Sequence, residues 1–365
     1  MGGILSKTQS ANLSDMPMTI AYKVLEKMDP TDQLTARKVS RSVRTAIDKI
    51  GIRFNKITLK LEKGQISMEL DVDKPYGKCI QYRDGIIIPI VKSLLTGREL
   101  DDETYVISSC GRSTKIEKEF FVHTACRDLK ILLKHASCIE FDVIAYKVPI
   151  FNICICSNDI YFVESFAPLL ECFHIKEVCF ISFNSEYVYK ILPNFDATTL
   201  KSIELCPPNN FGLWIEKIAQ LDQWKNIEEF KLRLHEPFNS DMFVYLLHLQ
   251  SFTIEQPYDS FPIQNVVQIR DDIMRRSTFQ SCTIKVGTNN MNPSDTINIA
   301  KVFKPEYAGG DEFEIKYSLD DDKFMIECQK IQLNNWNYYC FSVRKLSSHD
   351  ILYIKNNFDF VFIEP

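Results

Sequence analysis

The chain of 365 residues is long enough for two or three domains with a substantial core. It is 45% hydrophobic and 25% charged, and its net charge of −5 argues against a general attraction to nucleic acid or anionic membranes. The uncharged run at 148–158 is too short to cross a bilayer, which takes about 20 residues. We therefore expect a cytoplasmic or nuclear protein whose twelve cysteines are unpaired thiols.

The first residues match a lipidation pattern. Residues 1–6 fit M-G-x-x-x-[ST], the signal for N-myristoylation of Gly2. The other interpretation is a flexible leader, residues 1–11, that matches a short pattern by chance. Because one acyl chain anchors weakly and no polybasic cluster supports it, we expect at most a reversibly membrane-associated fraction.

Residues 12–50 have the pattern of three short helices. Asp15 is a good N-cap residue and Pro17 suits the first helical position, so the first helix should begin near Met16. The Asp29-Pro30 pair ends it, because the residue before a proline leaves the α region. About forty residues cannot bury much surface alone, so the apolar stripes should serve both a small core and an outside partner.

This segment resembles the F-box found in a large nematode family. The resemblance lies in SDMP at 14–17 and VLEKMDPTDQLTARKVSRSVR at 24–44. Met16 and Ser40 replace the Leu and Cys that are usual in the family, with little change in size. The resemblance implies docking on the Skp adaptor of a cullin–RING ubiquitin ligase. The implied adaptor contacts are Pro17, Ile20, Val24, Leu25, Leu34, Val39 and Val43.

The same segment also has the outline of a DNA-binding helix-turn-helix. Basic residues outnumber acidic ones between Asp32 and Lys49, which would suit contact with the DNA backbone. These basic residues interrupt a recognition helix rather than flank one, and the remaining chain is acidic. A solvated helix face explains them equally well, and we expect no nucleic-acid partner.

Residues 51–120 read as a β-rich connector with a small sheet. Ile57, Leu59 and Leu61 alternate opposite 66–70 around Lys63-Gly64, which predicts a β-hairpin. A third strand is expected in the segment 77–85 and a short helix at 89–95. Residues 96–118 look irregular.

Residues 121–306 alternate between helix-like and strand-like runs. Helices are expected near 123–135, 162–173, 185–194, 211–224, 240–249 and 263–277, each followed by a short strand. The strands recur every 20 to 30 residues or so, which favours a leucine-rich-repeat-like α/β solenoid over a closed or doubly wound sheet. Residues 307–365 read as a β cap, with strands near 312–317, 323–328, 338–343 and 359–363.

The repeat region resembles the nematode FTH domain, the usual companion of this F-box. Four lines carry the resemblance, at 191–205, 221–232, 269–284 and 299–310. The resemblance implies protein–protein contact. The expected fold is thus a mixed α+β and α/β chain, with a three-helix F-box, a small β connector and a solenoid with a β cap.

The sequence contains no catalytic, cofactor or metal motif that we can assign. His123 and Cys126 on one helix are only half of a metal site. We therefore expect a protein that is not an enzyme. The resemblance to F-box and FTH proteins implies the substrate-recognition subunit of a Skp–cullin–F-box ligase with an unnamed protein target. The alternative is a membrane-tethered interaction scaffold without ligase function.

Overall fold

The structure is a computed structural model, and it describes residues 18–36, 40–50, 54–62, 64–75, 77–84, 103–108, 113–117, 120–134, 136–143, 157–167, 172–208, 211–236, 238–256, 262–287, 293–333 and 336–350. Gly2, Pro17 and Val39 lie outside these residues, as do the helix expected at 89–95 and the strand expected at 359–363. For Leu34 the helix is described but the side chain is not.

Helices and strands alternate along most of the described chain. The helices are α1 (Met18–Lys27), α2 (Pro30–Ala36), α3 (Arg41–Ile50), α4 (Phe121–Leu133), α5 (Ser157–Phe166), α6 (Ser185–Ile191), α7 (Ile215–Ala219), α8 (Asp222–Asn226), α9 (Ile263–Gln268) and α10 (Pro293–Phe303). Tighter 3-10 turns occupy Leu192–Asn194, Phe211–Leu213 and Ser240–Leu246, and a wider π turn occupies Ile269–Ile273.

The strands form one large mixed sheet. They are β1 (Phe54–Glu62), β2 (Gln65–Leu70), β3 (Lys78–Asp84), β4 (Glu103–Ser108), β5 (Ser113–Glu117), β6 (Ala136–Val143), β7 (Glu177–Ile181), β8 (Ser202–Cys206), β9 (Glu229–Arg233), β10 (Ser251–Gln256), β11 (Ser281–Gly287), β12 (Phe313–Leu319), β13 (Asp322–Leu333) and β14 (Trp336–Lys345). Their spatial order is β12-β13-β14-β11-β10-β9-β8-β7-β6-β1-β2-β3-β4-β5.

The centre of the sheet is parallel and its two ends are antiparallel. Strands β6 to β11 lie side by side in chain order, and β1 joins this series parallel to β6. The hairpin strands β2 to β5 extend one end, and β14, β13 and β12 extend the other. Successive parallel strands are therefore direct neighbours, each reached through helical or 3-10 segments.

Backbone hydrogen bonds at equivalent positions link the successive units of the parallel series. The residue ahead of each strand donates to the matching carbonyl of the previous unit, over 2.8 to 3.0 Å. The donor and acceptor pairs are Lys176 to Ser137, Lys201 to Lys176, Glu228 to Lys201, Gln250 to Glu228 and Gln280 to Gln250. The units thus repeat in their hydrogen bonding as well as in their order of elements.

Aromatic side chains fill the space between helices and strands. Phe141 on β6 stacks on Phe180 of β7, with centroids 5.0 Å apart, and packs against Phe162 of α5 at 6.1 Å. Trp224 of α8 meets Phe230 of β9 edge to face at 4.7 Å. Along β6 to β11 the side chains that face the helices are buried and alternate with partly exposed ones, as expected for strands covered on one face.

Several predicted elements are confirmed. The first hairpin pairs Ile57 with Leu70, Leu59 with Met68 and Leu61 with Ile66, as the alternation predicts. Its turn places Gly64 at φ 71°, a backbone conformation that glycine adopts without steric cost. The third strand, the strands of the repeat region and the C-terminal hairpin are also present.

Other predictions are wrong in detail. Strands β4 and β5 occupy the stretch expected to be irregular. Tyr105, Val106 and Ile107 are consecutive in β4, and β5 has a single apolar residue, so neither strand shows apolar alternation. The single helix expected at 211–224 is a 3-10 turn followed by α7 and α8, since Leu221 leaves the helix with ψ 144°. The strands of the expected β connector belong to the main sheet, which they join through the pairing of β1 with β6.

Candidate protein-interaction surfaces

Helix α1 carries apolar side chains on two faces. Ala21 and Leu25 point inward and are 6% and 1% exposed. Ile20 and Val24 lie one turn apart on the outer face and are 50% and 40% exposed. Adjacent exposed apolar side chains at this spacing form a patch suited to a partner's apolar surface.

Contacts from α2 and α3 hold α1 in place. The buried Gln33 side chain of α2 donates from Nε2 to the carbonyls of Leu25, at 2.7 Å, and Met28, at 3.2 Å. These bonds satisfy carbonyls at the C-terminal end of α1, which have no partner within the helix. Lys49 of α3 lies over the ring of Tyr22, 5.7 Å from its centroid. The outer face of α1 is therefore presented on a fixed support.

The sheet face opposite the helices is lined by ion pairs between neighbouring strands. Lys56 pairs with Glu140 at 2.8 Å, and Lys285 pairs with Glu255 at 3.4 Å. Arg233 pairs with Glu204 across β9 and β8. These three pairs are satisfied between neighbouring strands of the described chain.

The helix layer contains an open cleft of about 760 Å³. It lies between α8, the 3-10 turn Ser240–Leu246 with the residues after it, and the π turn with the segment that follows it. Apolar side chains and charged side chains line it. They are Ala219, Trp224, Lys225, Val244, Tyr245, Leu247, His248, Asp271, Asp272, Arg275 and Arg276. Its volume falls within the range of pockets that bind ligands.

Comparisons with known protein families match two separate parts of the chain. The F-box domain family matches residues 13–55, and the FTH domain family matches residues 159–306. The chain carries an F-box followed by an FTH domain. It is also 24% identical over 307 residues to F-box A protein 224 of Caenorhabditis elegans, covering 82% of this chain and 72% of that protein. No solved structure matches the chain.

The F-box match includes α1, α2 and α3, and the resemblance stated from the sequence is thereby confirmed. Of the adaptor contacts inferred from it, Ile20 and Val24 are exposed together on α1. Val43 on α3 is partly buried against the core. Leu25 lies in that core, so the free chain does not present its side chain to a partner. Periodicity identified the apolar stripe of α1 without separating its inner and outer sides.

The FTH domain contains the cleft in the helix layer, which the sequence did not predict. Its lining residues come from three segments, near 224, 244–248 and 271–276, that are far apart in the chain. The one local signal was the run RDDIMRR at 270–276, where two acidic residues and three basic residues follow a buried helix.

The described residues contain no disulfide and no metal-binding cluster. The nine cysteines there are free thiols, and burial raises the pKa of Cys282 and of Cys328 to about 12. Within the same residues no group of three or more side chains is arranged to hold a metal ion. His123 is exposed whereas Cys126 is buried, so this pair does not form a shared site. In the described part of the chain, no helix is long and apolar enough to span a membrane.

Proposed function

We propose that the protein is the substrate-recognition subunit of a Skp–cullin–F-box ubiquitin ligase. The F-box would bind the Skp-type adaptor, and the FTH domain would bind a target protein. The observation that carries the proposal is the F-box match together with the exposed Ile20 and Val24 on its first helix. Pro17, Leu34 and Val39 complete the proposed contact surface, with Val43 at its buried margin.

The mechanism would be proximity rather than chemistry in this chain. Holding the target at one end and the adaptor at the other raises the effective concentration of target lysines near the conjugating enzyme. The reacting groups would then belong to other subunits, and the chain itself needs no catalytic residue.

A double substitution on α1 tests the adaptor contact. Ile20→Asp with Val24→Asp places two charges in the proposed apolar interface and should weaken adaptor binding more than about a hundredfold. Both side chains are exposed, so the thermal unfolding temperature should hardly change. Binding to purified adaptor is measured by biolayer interferometry. Leu25→Asp would not serve, because a charge in the core would unfold the F-box.

Lys27→Asp is the matched control, since it changes the net charge by the same amount at another exposed position of α1. It should retain near wild-type affinity. If the double variant binds adaptor as tightly as the wild type, the F-box does not dock through α1 and the proposal fails.

We also propose that residues 121–306 form a leucine-rich-repeat-like solenoid with residues 307–365 as its cap. The sequential parallel order of β6 to β11 and the repeated hydrogen bonds between units support this proposal. Acylation of Gly2 stays a proposal that rests on the residue pattern alone. Intact-mass measurement after co-expression with an N-myristoyltransferase tests it, and an unmodified N-terminus would contradict it.

A further inference from the structure

The charges around the cleft in the helix layer are not balanced within the described chain. Asp271 is held by Arg270 through two contacts, Nε to Oδ1 at 2.7 Å and Nη2 to Oδ2 at 2.9 Å. Lys225 pairs with Asp222 at 3.0 Å. By contrast, no described residue places a carboxylate within 4.0 Å of the guanidinium of Arg275 or Arg276. Among the described residues, two arginines at the cleft are thus without a direct carboxylate partner, and Arg275 is exposed to solvent.

Arg276 lines the cleft and makes no side-chain hydrogen bond to a described residue. Its Nη1 atom is enclosed by the protein and is therefore closed to a ligand. A carboxylate in the cleft would pair with the other guanidinium nitrogens, Nε or Nη2, in a charge-assisted hydrogen bond. His248 also lines the cleft; its Nε2 donates to the carbonyl of Trp224 at 2.8 Å, and it makes no hydrogen bond with Arg276.

The backbone near Arg276 is also unusual. Residues 269–273 form a π turn, in which the amide of Met274 reaches back to the carbonyl of Ile269 at 2.9 Å. This wider turn shifts the side chains that follow it relative to an α-helix. Single π turns of this kind recur at functional sites, where the cost of the irregularity serves a binding geometry.

Apolar side chains also line the cleft. Val244 is 55% exposed, although most large apolar side chains of the FTH domain are buried. Trp224, another lining residue, is held by a hydrogen bond from Nε1 to the carbonyl of Tyr245 at 3.2 Å. A cleft that combines apolar side chains with arginines lacking a carboxylate partner among the described residues matches a ligand with an apolar group next to an anionic one.

We propose that this cleft is the target-binding site, and that it receives an acidic segment of a protein whose carboxylate pairs with Arg276 while an adjacent apolar side chain rests on Val244. The assignment rests on the proposed role of the FTH domain in binding a target. Carboxylate is favoured over phosphate because Asp272 is exposed at the same cleft and Asp271 lies beside it, so a doubly charged group would meet stronger repulsion.

Selection from a peptide library tests the proposal. The full-length protein is incubated with an oriented library of acetylated, amidated nonapeptides, and the bound peptides are sequenced. We expect enrichment of Asp or Glu at one position beside an enriched aliphatic or aromatic residue. No acidic enrichment would overturn the proposal. Tighter binding of the selected peptide with phosphoserine at that position would overturn the carboxylate assignment.

Substitutions then locate the site. Arg276→Gln should weaken binding of the selected peptide about tenfold or more in fluorescence polarisation, because a charge-assisted pair is lost. Val244→Asp should weaken it by a similar factor. Arg83→Gln, a matched change at an exposed arginine on β3, should have no effect. Wild-type binding by both cleft variants would place the peptide elsewhere and refute the assignment.

Two further measurements separate the possible causes of failure. The unfolding temperature of Arg276→Gln should equal or exceed that of the wild type, whereas a structural role for Arg276 would lower it. The variant with Ile20→Asp and Val24→Asp should lose the adaptor and keep the peptide. If the wild type does not bind the adaptor, the proposed ligase function is contradicted but the proposed peptide site is not. If the peptide selection fails, only the proposed peptide site is contradicted.

Discussion

The F-box and the sheet region differ in how much core each supplies for itself. The F-box helices add Leu25, Ala46 and Ile47 to a core cluster that continues through the sheet, and they leave Ile20 and Val24 in solvent. The sheet region buries nearly continuous rows of aromatic and aliphatic side chains. The F-box helices thus contribute few side chains to the core and share it with the sheet, whereas the sheet region supplies most of the buried side chains.

The comparison predicts that core substitutions in the sheet act globally and that substitutions in the F-box act locally. The largest effect is expected for Trp224→Ala. This substitution removes a 1%-exposed indole, its contact with Phe230 and its hydrogen bond to Tyr245. The free energy of unfolding should fall by about 3–5 kcal/mol, as measured by urea denaturation.

Trp214→Ala provides the control. This tryptophan is partly exposed, packing 6.0 Å from the ring of Tyr189 with Lys217 4.2 Å above its own ring. Its removal should cost about 1 kcal/mol or less. Equal losses for the two tryptophans would mean that the helix layer is not packed as described.

A smaller, local effect is expected for Gln33→Met. The methionine keeps the length of the side chain but removes both hydrogen bonds to the end of α1. The F-box should lose about 1–2 kcal/mol of local stability, seen as faster hydrogen exchange in α1 and weaker adaptor binding. Gln280→Met, at an exposed site, should change neither. Slower exchange or unchanged exchange in α1 would show that Gln33 does not fix this helix.

The smallest effect concerns pH. Burial lowers the pKa of His248 below its ordinary value of 6.5. The unfolded chain therefore binds a proton more readily than the folded one, so stability should fall as the pH drops below 6.5 toward the lower folded pKa. The loss is complete only below the folded value. His248→Gln should flatten this part of the profile in urea titrations between pH 7 and 5.

His349→Gln is the matched control, because His349 is exposed near the C-terminal end of the described chain. It should leave the wild-type profile in place. If His248→Gln and the wild type lose stability in parallel, the pH dependence comes from other groups.

Sequence patterns predicted the elements better than the surfaces. Alternation at 57–70 fixed the register of the first hairpin, because a side-chain period of two allows one pairing that buries the apolar set. The strands of the repeat region were predicted from the regular alternation of helix-like and strand-like runs along the chain. The short strands β4 and β5 were missed, since their pairing is set by the neighbouring strand rather than by their own composition.

The candidate sites depend on orientation, which periodicity does not supply. An apolar helical stripe is wide enough to include both Leu25 and Val24, yet only one of them faces solvent. The cleft depends on residues from three separate units of the repeat region coming together. Tertiary packing determines the exposed face of α1 and the cleft, so neither could be predicted from a single sequence.

The antiparallel strands at the two ends of the sheet limit where a unit of helix and strand can be inserted or deleted. Both ends of the parallel series, at β1 and at β11, are already hydrogen-bonded to strands of opposite direction. A duplicated unit of helix and strand added beyond these ends could not pair directly with β1 or β11, because those strand edges are already occupied. Gain or loss of whole units between β6 and β11 would leave both ends unaltered, so related chains can differ in length there while keeping their two termini alike.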